Sequence, residues 1–432
     1  MIPVFEFFLL ASLIIFIGFF GNIFFRKTGF PEVLFLIAVG IIIGPLFKII
    51  PTSIAYSILP YFSDLTLAMI LFNIGIQLDL RSLFQEGIRA IGRTVLYVSI
   101  SVIVIFFIFS HIFNWGTYSS LLLAVIIGGE TTTVVVPELV RSLADKRLFT
   151  NLTIESVLNS VILIVLFFVF LNGFLNSTPI SLAGATDLVG SFFSQFSIGI
   201  VVGLIAAIVW VKFLQLVGVE NYFYIATIGY VLLIYEFVEQ IGGSAILAVL
   251  TMAITMVNLR FISDPLSIYL DIPKSAKQYI IDFQGEISFF LKTFFFLFLG
   301  MVLSVSSFSS PLTYLLAGIV IVVLALSRLT AIQLVNRDKS AEDRKLIFYM
   351  MAQGLTPAVL ATTLLLYPVP HREGIVLITT LVIIITNIIT TIGSVRFKQG
   401  WNNLNFNSKK HLTKPEPDNS ETTASKASLS TH

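Results

Sequence analysis

What most constrains this chain is a recurrence of apolar runs about 20 residues long, following one another from the N-terminus to about residue 395. Wound as a helix, such a run matches the hydrocarbon thickness of a bilayer. Lipid offers no water to the backbone, so each run must bond its own N–H and C=O groups, as a helix does. The sequence is 56% hydrophobic and 12% charged, about half the charge of a soluble domain. The pattern predicts an all-α polytopic membrane protein. A net charge of +2 offers nothing to nucleic acid, and the absence of Cys removes disulfides and thiolate metal sites. His111, His371, His411 and His432 lie near run ends or in the tail and form no metal cluster. No cofactor is implied. The first run opens Met1-Ile2-Pro3-Val4-Phe5-Glu6, without a basic leader or a small-residue cleavage site. It reads as a retained span rather than a signal peptide.

About thirteen spans are expected, near 4–25, 32–50, 59–78, 92–113, 118–140, 149–174, 188–213, 221–238, 242–259, 281–305, 311–334, 345–367 and 373–395. The basic residues test this. Arg26 and Lys27 fall in the first connection, Arg81, Arg89 and Arg93 in the third, and Arg141, Lys146 and Arg147 in the fifth. Lys212 follows in the seventh, Arg260, Lys274 and Lys277 in the ninth, and Arg337, Lys339, Arg344 and Lys345 in the eleventh. The even connections hold only Lys48 and Arg372. Positively charged connections face the cytoplasm, so the N-terminus is expected outside and the C-terminus inside. Residues 1–395 read as one transmembrane domain. Residues 396–432, polar and rich in Lys, Asn, Ser, Thr and Pro, read as a disordered cytoplasmic tail.

One polar stretch stands out within this apolar chain. Its first part reads Gly128-Gly129-Glu130-Thr131-Thr132-Thr133, closing at Pro137; its second reads Thr153-Ile154-Glu155-Ser156-Val157-Leu158-Asn159-Ser160. An ionisable side chain in lipid costs roughly 2.5–3.5 kcal/mol or more and usually faces a protein interior or a wet cavity. Glu155 and Asn159 are four residues apart, as are Ser156 and Ser160, so all four share one helical face. Their carboxylate, amide and hydroxyl oxygens suit a hard monovalent cation. The alternative for the serines and Asn159 is interhelical hydrogen bonding. Glu130 lies beside a helix break, at mid-bilayer depth if Arg141 marks the span end. Gly128, Gly129 and Pro137 in the fifth run correspond to Gly354 and Pro357 in the twelfth. Paired interruptions of this kind point to inverted repeats with two crossed broken helices. Arg328 and Lys292 are further charges inside runs, each needing a partner or a route to the interface. Asp64 is another, closer to a span end.

These motifs resemble the monovalent cation–proton antiporters, the sodium/hydrogen exchanger-like family and its archaeal-type members, over roughly residues 15–395. The similarity rests on Phe30-Pro31-Glu32 with Ala38-Val39-Gly40 and Gly44-Pro45; on Leu71-Phe72-Asn73-Ile74-Gly75-Ile76-Gln77-Leu78-Asp79; and on Gly128-Gly129-Glu130-Thr131-Thr132. It continues in Glu155-Ser156-Val157-Leu158-Asn159, in Ile287-Ser288-Phe289-Phe290-Leu291-Lys292-Thr293-Phe294-Phe295-Phe296 through Gly300, and in Gly354-Leu355 with Ala358-Val359-Leu360-Ala361. Six motifs in the right order carry more weight than any one.

The resemblance implies thirteen helices, a dimerisation subdomain and a mobile core holding the crossed broken helices. It implies an ion pair of Glu155 with Arg328, and ion or proton binding at Glu130, Thr131, Ser156, Asn159 and Ser160. The substrates would be Na+ or K+ and H+, exchanged by a homodimer in the cell membrane, with a role in pH homeostasis. One departure matters. Relatives carry Asp, the proton-exchanging carboxylate, where this chain has Ser160. Glu130 is expected to replace it. Otherwise Glu155 titrates, or the protein is a proton-uncoupled permease or symporter on the same fold. An intramembrane enzyme is disfavoured: no run holds a His away from its ends, the chain has no Cys, and no run pairs two Asp.

Overall fold

In a computed structural model, residues 4–28, 31–49, 52–81, 83, 87–132, 146–177, 182–217, 222–263, 274–303 and 310–412 are described. Among them are fourteen α-helices and no strand. They are α1 (Val4–Thr28), α2 (Glu32–Ile41, continued by a π turn Ile42–Leu46), α3 (Thr52–Gln77) and α4 (Ile88–Phe107, continued by a π turn Ile108–Ile112). Then come α5 (Thr117–Ile127), α6 (Lys146–Leu175), α7 (Leu182–Val217), α8 (Phe223–Gln240), α9 (Ala245–Ser263) and α10 (Lys274–Val302). The last are α11 (Pro311–Val335), α12 (Ala341–Tyr349), α13 (Leu355–Leu364) and α14 (Arg372–Leu412). Among the described residues seven helices are long and apolar enough to cross a membrane; α5, α13 and the apolar parts of α1, α2 and α9 are shorter. The chain is therefore an all-α, multi-pass membrane protein. Pro137 and residues 413–432 of the expected tail lie outside the described residues, while α14 continues to Leu412.

The helices pack as two groups. In one, α9 lies against α3, α7 and α8, and α10 against α1, α2 and α3. In the other, α4 contacts α5, α6 and α11, while α14 contacts α11, α12 and α13. The groups meet chiefly where α13 reaches α3 and α10. Without a hydrophobic drive between helices in lipid, close backbone approach must supply the attraction. The packing follows that rule: Gly40 of α2 faces Gly300 of α10, and Gly199 and Gly203 of α7 face Ser244 and Ala248. Apolar side chains divide accordingly. Val201, Ile205, Val209 and Phe213 of α7 and Leu315, Val322 and Leu326 of α11 are exposed, as lipid-facing residues are. By contrast α5 and α13 are buried along nearly their whole length. Two short helices sealed inside a bundle leave their ends at membrane depth, and those ends organise the site.

Candidate functional site

The fifth and twelfth runs both break, and the breaks meet. The α5 helix ends at Ile127, and residues 128–132 continue as non-helical chain; α12 ends at Tyr349 and α13 begins at Leu355. Thr132 donates its N–H to Ala352 O at 2.8 Å, joining the two open segments. Gly129 has φ +93°, a backbone that L side chains rarely adopt. At Gly354 a Cβ would collide with the Thr132 side chain, so only glycine lets the segments approach this closely.

Buried backbone groups must be bonded, and here side chains do it. Gln353 Nε2 donates to Ile127 O (2.7 Å), and Asn159 Nδ2 donates to Gly129 O (3.2 Å) and Thr131 Oγ1 (2.7 Å). Ser156 Oγ donates to Thr131 O (2.8 Å). On the second break, Thr390 Oγ1 donates to Tyr349 O (2.8 Å), Asn387 Nδ2 to Gln353 O (2.8 Å), and Gln353 N–H to Thr386 Oγ1 (3.1 Å). The polar face of α6 thus serves a definite purpose: Ser156 and Asn159, one turn apart, hold the open chain 129–131. Ser160 Oγ donates to Ser156 O within α6 (3.0 Å), leaving its lone pairs as acceptors.

Two carboxylates lie in this core, and their surroundings differ. Glu155 is completely buried. Its Oε2 accepts from Arg93 Nε (3.0 Å) and Nη2 (2.8 Å), and its Oε1 from Arg328 Nη1 (3.0 Å). Arg328 also donates to Ile347 O (2.9 Å) and Met350 O (2.6 Å), at the negative C-terminal end of α12. Its guanidinium lies 5.1 Å over the Tyr97 ring, which itself packs against Gly129. Glu130 is 1% exposed, and its Oε2 accepts the N–H of Gly354 at 3.0 Å, at the N-terminus of α13. Among the described residues no basic side chain pairs with it.

The remaining expected positions are more scattered. Lys292 of α10 pairs with Glu32 at the start of α2, within the other helix group. Pro357 is buried in the first turn of α13, where a missing N–H costs nothing. Asp64 is exposed in a cavity of about 460 Å³ between the helix groups, which Glu236, Glu239, Tyr235 and Tyr367 also line. Sequence reasoning placed Arg93 in a connection, whereas the structure buries it in α4 at 1% exposure. Its spacing of four from Tyr97 was the available signal. Thr386 and Asn387 were missed, and Gln353 was read only as part of the interruption in the twelfth run; nothing local says which face each takes.

The family model for the sodium/hydrogen exchanger, transmembrane, matches residues 11–397. The Na(+)/H(+) antiporter 1 of Methanocaldococcus jannaschii is 26% identical over 356 residues, which cover 78% of each chain. Two solved structures of the sodium proton antiporter MjNhaP1 from the same organism share this fold at 21% identity. The one determined at pH 8 has a TM-score of 0.74, covering 91% of this chain and 99% of that one. The other, from electron microscopy, has a TM-score of 0.71 over 96% and 100%. A family match spanning almost the whole transmembrane region, together with two crossed helix breaks around buried carboxylates, places this chain in the sodium/hydrogen exchanger family.

Proposed function

We propose that the protein exchanges a monovalent cation, Na+ or K+, for protons by alternating access, with Glu130 as the group that binds each in turn. The observation that carries this is the contrast in pairing. Glu155 is neutralised by two guanidiniums, whereas Glu130 has one backbone N–H and no basic partner among the described residues. A buried carboxylate without a counter-charge is stabilised by a bound proton or a bound cation, and the two compete for it. The relatives' printed names, Na+/H+ antiporters, agree with Na+ and H+ as substrates. Thr131, Ser156, Asn159 and Ser160 are assigned to the cation, because their oxygens surround the same open chain. One carboxylate alternating between one proton and one monovalent cation gives one-for-one exchange without net charge movement. Residues 1–395 form the transport domain, with α4–α6 and α11–α14 in its mobile core. The protein works as a homodimer in the cell membrane, N-terminus outside and C-terminus in the cytoplasm, and serves pH homeostasis.

The experiment is cation-dependent dequenching of a pH dye in proteoliposomes, run with Na+, K+ and Li+ separately. An exchange rate that does not change when the membrane potential is clamped at different values supports electroneutrality. A cation flux with no proton movement would instead identify an uncoupled permease, the reading that Ser160 in place of Asp favours.

A further inference from the structure

Three buried amides surround the crossing of the broken helices. Asn159, Gln353 and Asn387 each direct the NH2 group to nearby oxygens, mainly backbone carbonyls. Each is left with an amide oxygen, Asn159 Oδ1, Gln353 Oε1 and Asn387 Oδ1, that is buried and has no donor. A buried acceptor without a partner costs about 1–3 kcal/mol. Three in one region, none accepting a hydrogen bond among the described residues, suit an electropositive guest.

Of the three, Gln353 comes from the second broken span, next to the peptide that binds Glu130. The next residue, Gly354, donates its N–H to Glu130 Oε2. The Gln353 side chain bonds Ile127 O, three residues before Glu130. The stretch 127–130 and the peptide 353–354 therefore face each other, with Glu130 on one side and Gln353 on the other. The amide orientation is determined: a flip would set an oxygen against the Ile127 carbonyl. The arm is also immobilised. Its N–H is held by Thr386, its carbonyl by Asn387 and its Nε2 by Ile127.

We propose that Gln353 is a cation ligand that sets ion selectivity, supplying Oε1 from the second broken span opposite Glu130. The proposal rests on the antiport reading above. An amide oxygen is a neutral, hard ligand, so it changes the size and affinity of the site without changing its charge. A ligand oxygen held on a rigid arm cannot follow the ionic radius, so it discriminates between ions.

The test uses the full chain in proteoliposomes, with half-saturating concentrations of Li+, Na+ and K+ measured for the wild type, Gln353→Met and Gln353→Asn. Gln353→Met removes the oxygen; the half-saturating concentration of the preferred cation should rise about tenfold or more, the size of one contact to a charge. The differences among the three cations should shrink. Gln353→Asn keeps both amide atoms on a shorter arm, and its preference should shift toward K+, the largest of the three. Cation-induced shifts in melting temperature of the detergent-purified variants should change in the same order, which covers a variant that transports too slowly to measure. A purely structural role would lower rate or stability while leaving the ratios among cations unchanged. That result, or wild-type ratios in both variants, overturns the assignment of Gln353. A wild-type protein that neither exchanges nor is stabilised by any of the three cations overturns the antiport reading itself, and shows this before any variant is made.

Discussion

Glu130 and Glu155 are 25 residues apart in the chain and equally buried, yet the fold treats them in opposite ways. Glu155 receives three charge-assisted hydrogen bonds from two arginines. Glu130 receives one, from a backbone amide at a helix N-terminus. The first arrangement holds a charge permanently and ties α4, α6 and α11 together through it. The second leaves a carboxylate whose compensation must come from outside the protein. The comparison teaches that burial alone does not mark a transport carboxylate; what marks it is burial without a resident counter-charge.

The widest separation between the two sites is expected from Glu130→Gln. Exchange should fall to the level of protein-free vesicles while folded yield and melting temperature stay at wild type, since the amide keeps an acceptor for Gly354 N–H. Exchange at the wild-type rate would end the case for Glu130 and make Glu155 the candidate.

Glu155→Gln should do the reverse, striking stability first. It leaves two buried guanidiniums without their carboxylate, and breaking a buried pair costs about 3–5 kcal/mol. Arg328→Ala should follow closely, because it also releases Ile347 O and Met350 O. Arg93→Ala should cost less, since Arg328 remains on Glu155. Thermal unfolding of the three variants checks this order, and wild-type stability in any of them breaks the comparison.

Lys292→Met extends the same logic to the other helix group. It strands Glu32, whose Oε2 already lacks a partner. A loss of up to about 3–5 kcal/mol is expected, largely recovered when Glu32→Gln is added. A double variant no better than the single one would show that the pair is not coupled.

Ser160→Asp in the Glu130→Gln background sharpens the comparison from the other side. It returns a carboxylate to α6, one helical turn beyond Ser156, and partial recovery of exchange is expected in the dye assay. No recovery would mean that the Glu130 position cannot be replaced from α6.

The smallest effect belongs to Asp338. It pairs with Arg89 across the ends of α4 and α11, both side chains about half exposed. The hydrogen bond from Arg89 holds the Asp338 carboxyl below its usual range. A lowered pKa contributes stability above the unfolded carboxylate range, lost as pH falls through the folded value. At the surface that contribution is screened by solvent, so Asp338→Asn should leave the melting curve at neutral pH unchanged.

The periodic apolar runs were sufficient to read the helical membrane architecture, because in lipid the backbone has few other solutions. The two helix breaks were legible because glycine and proline act locally: Gly129 needs its positive φ and Gly354 its missing Cβ, whatever surrounds them. The polar face of α6 was legible from its four-residue spacing. Arg93 was not, because a basic residue near the end of an apolar run reads as an interface anchor until the opposite helix is known. The unpartnered oxygens of Asn159, Gln353 and Asn387 were equally hidden. A sequence shows that an amide is present, and only packing decides which of its two ends meets a partner. The sequence by itself determined that this chain forms apolar membrane helices and where two of them must fail. The tertiary structure decided which carboxylate the arginines reach, because a buried charge is defined by neighbours that come from distant parts of the chain.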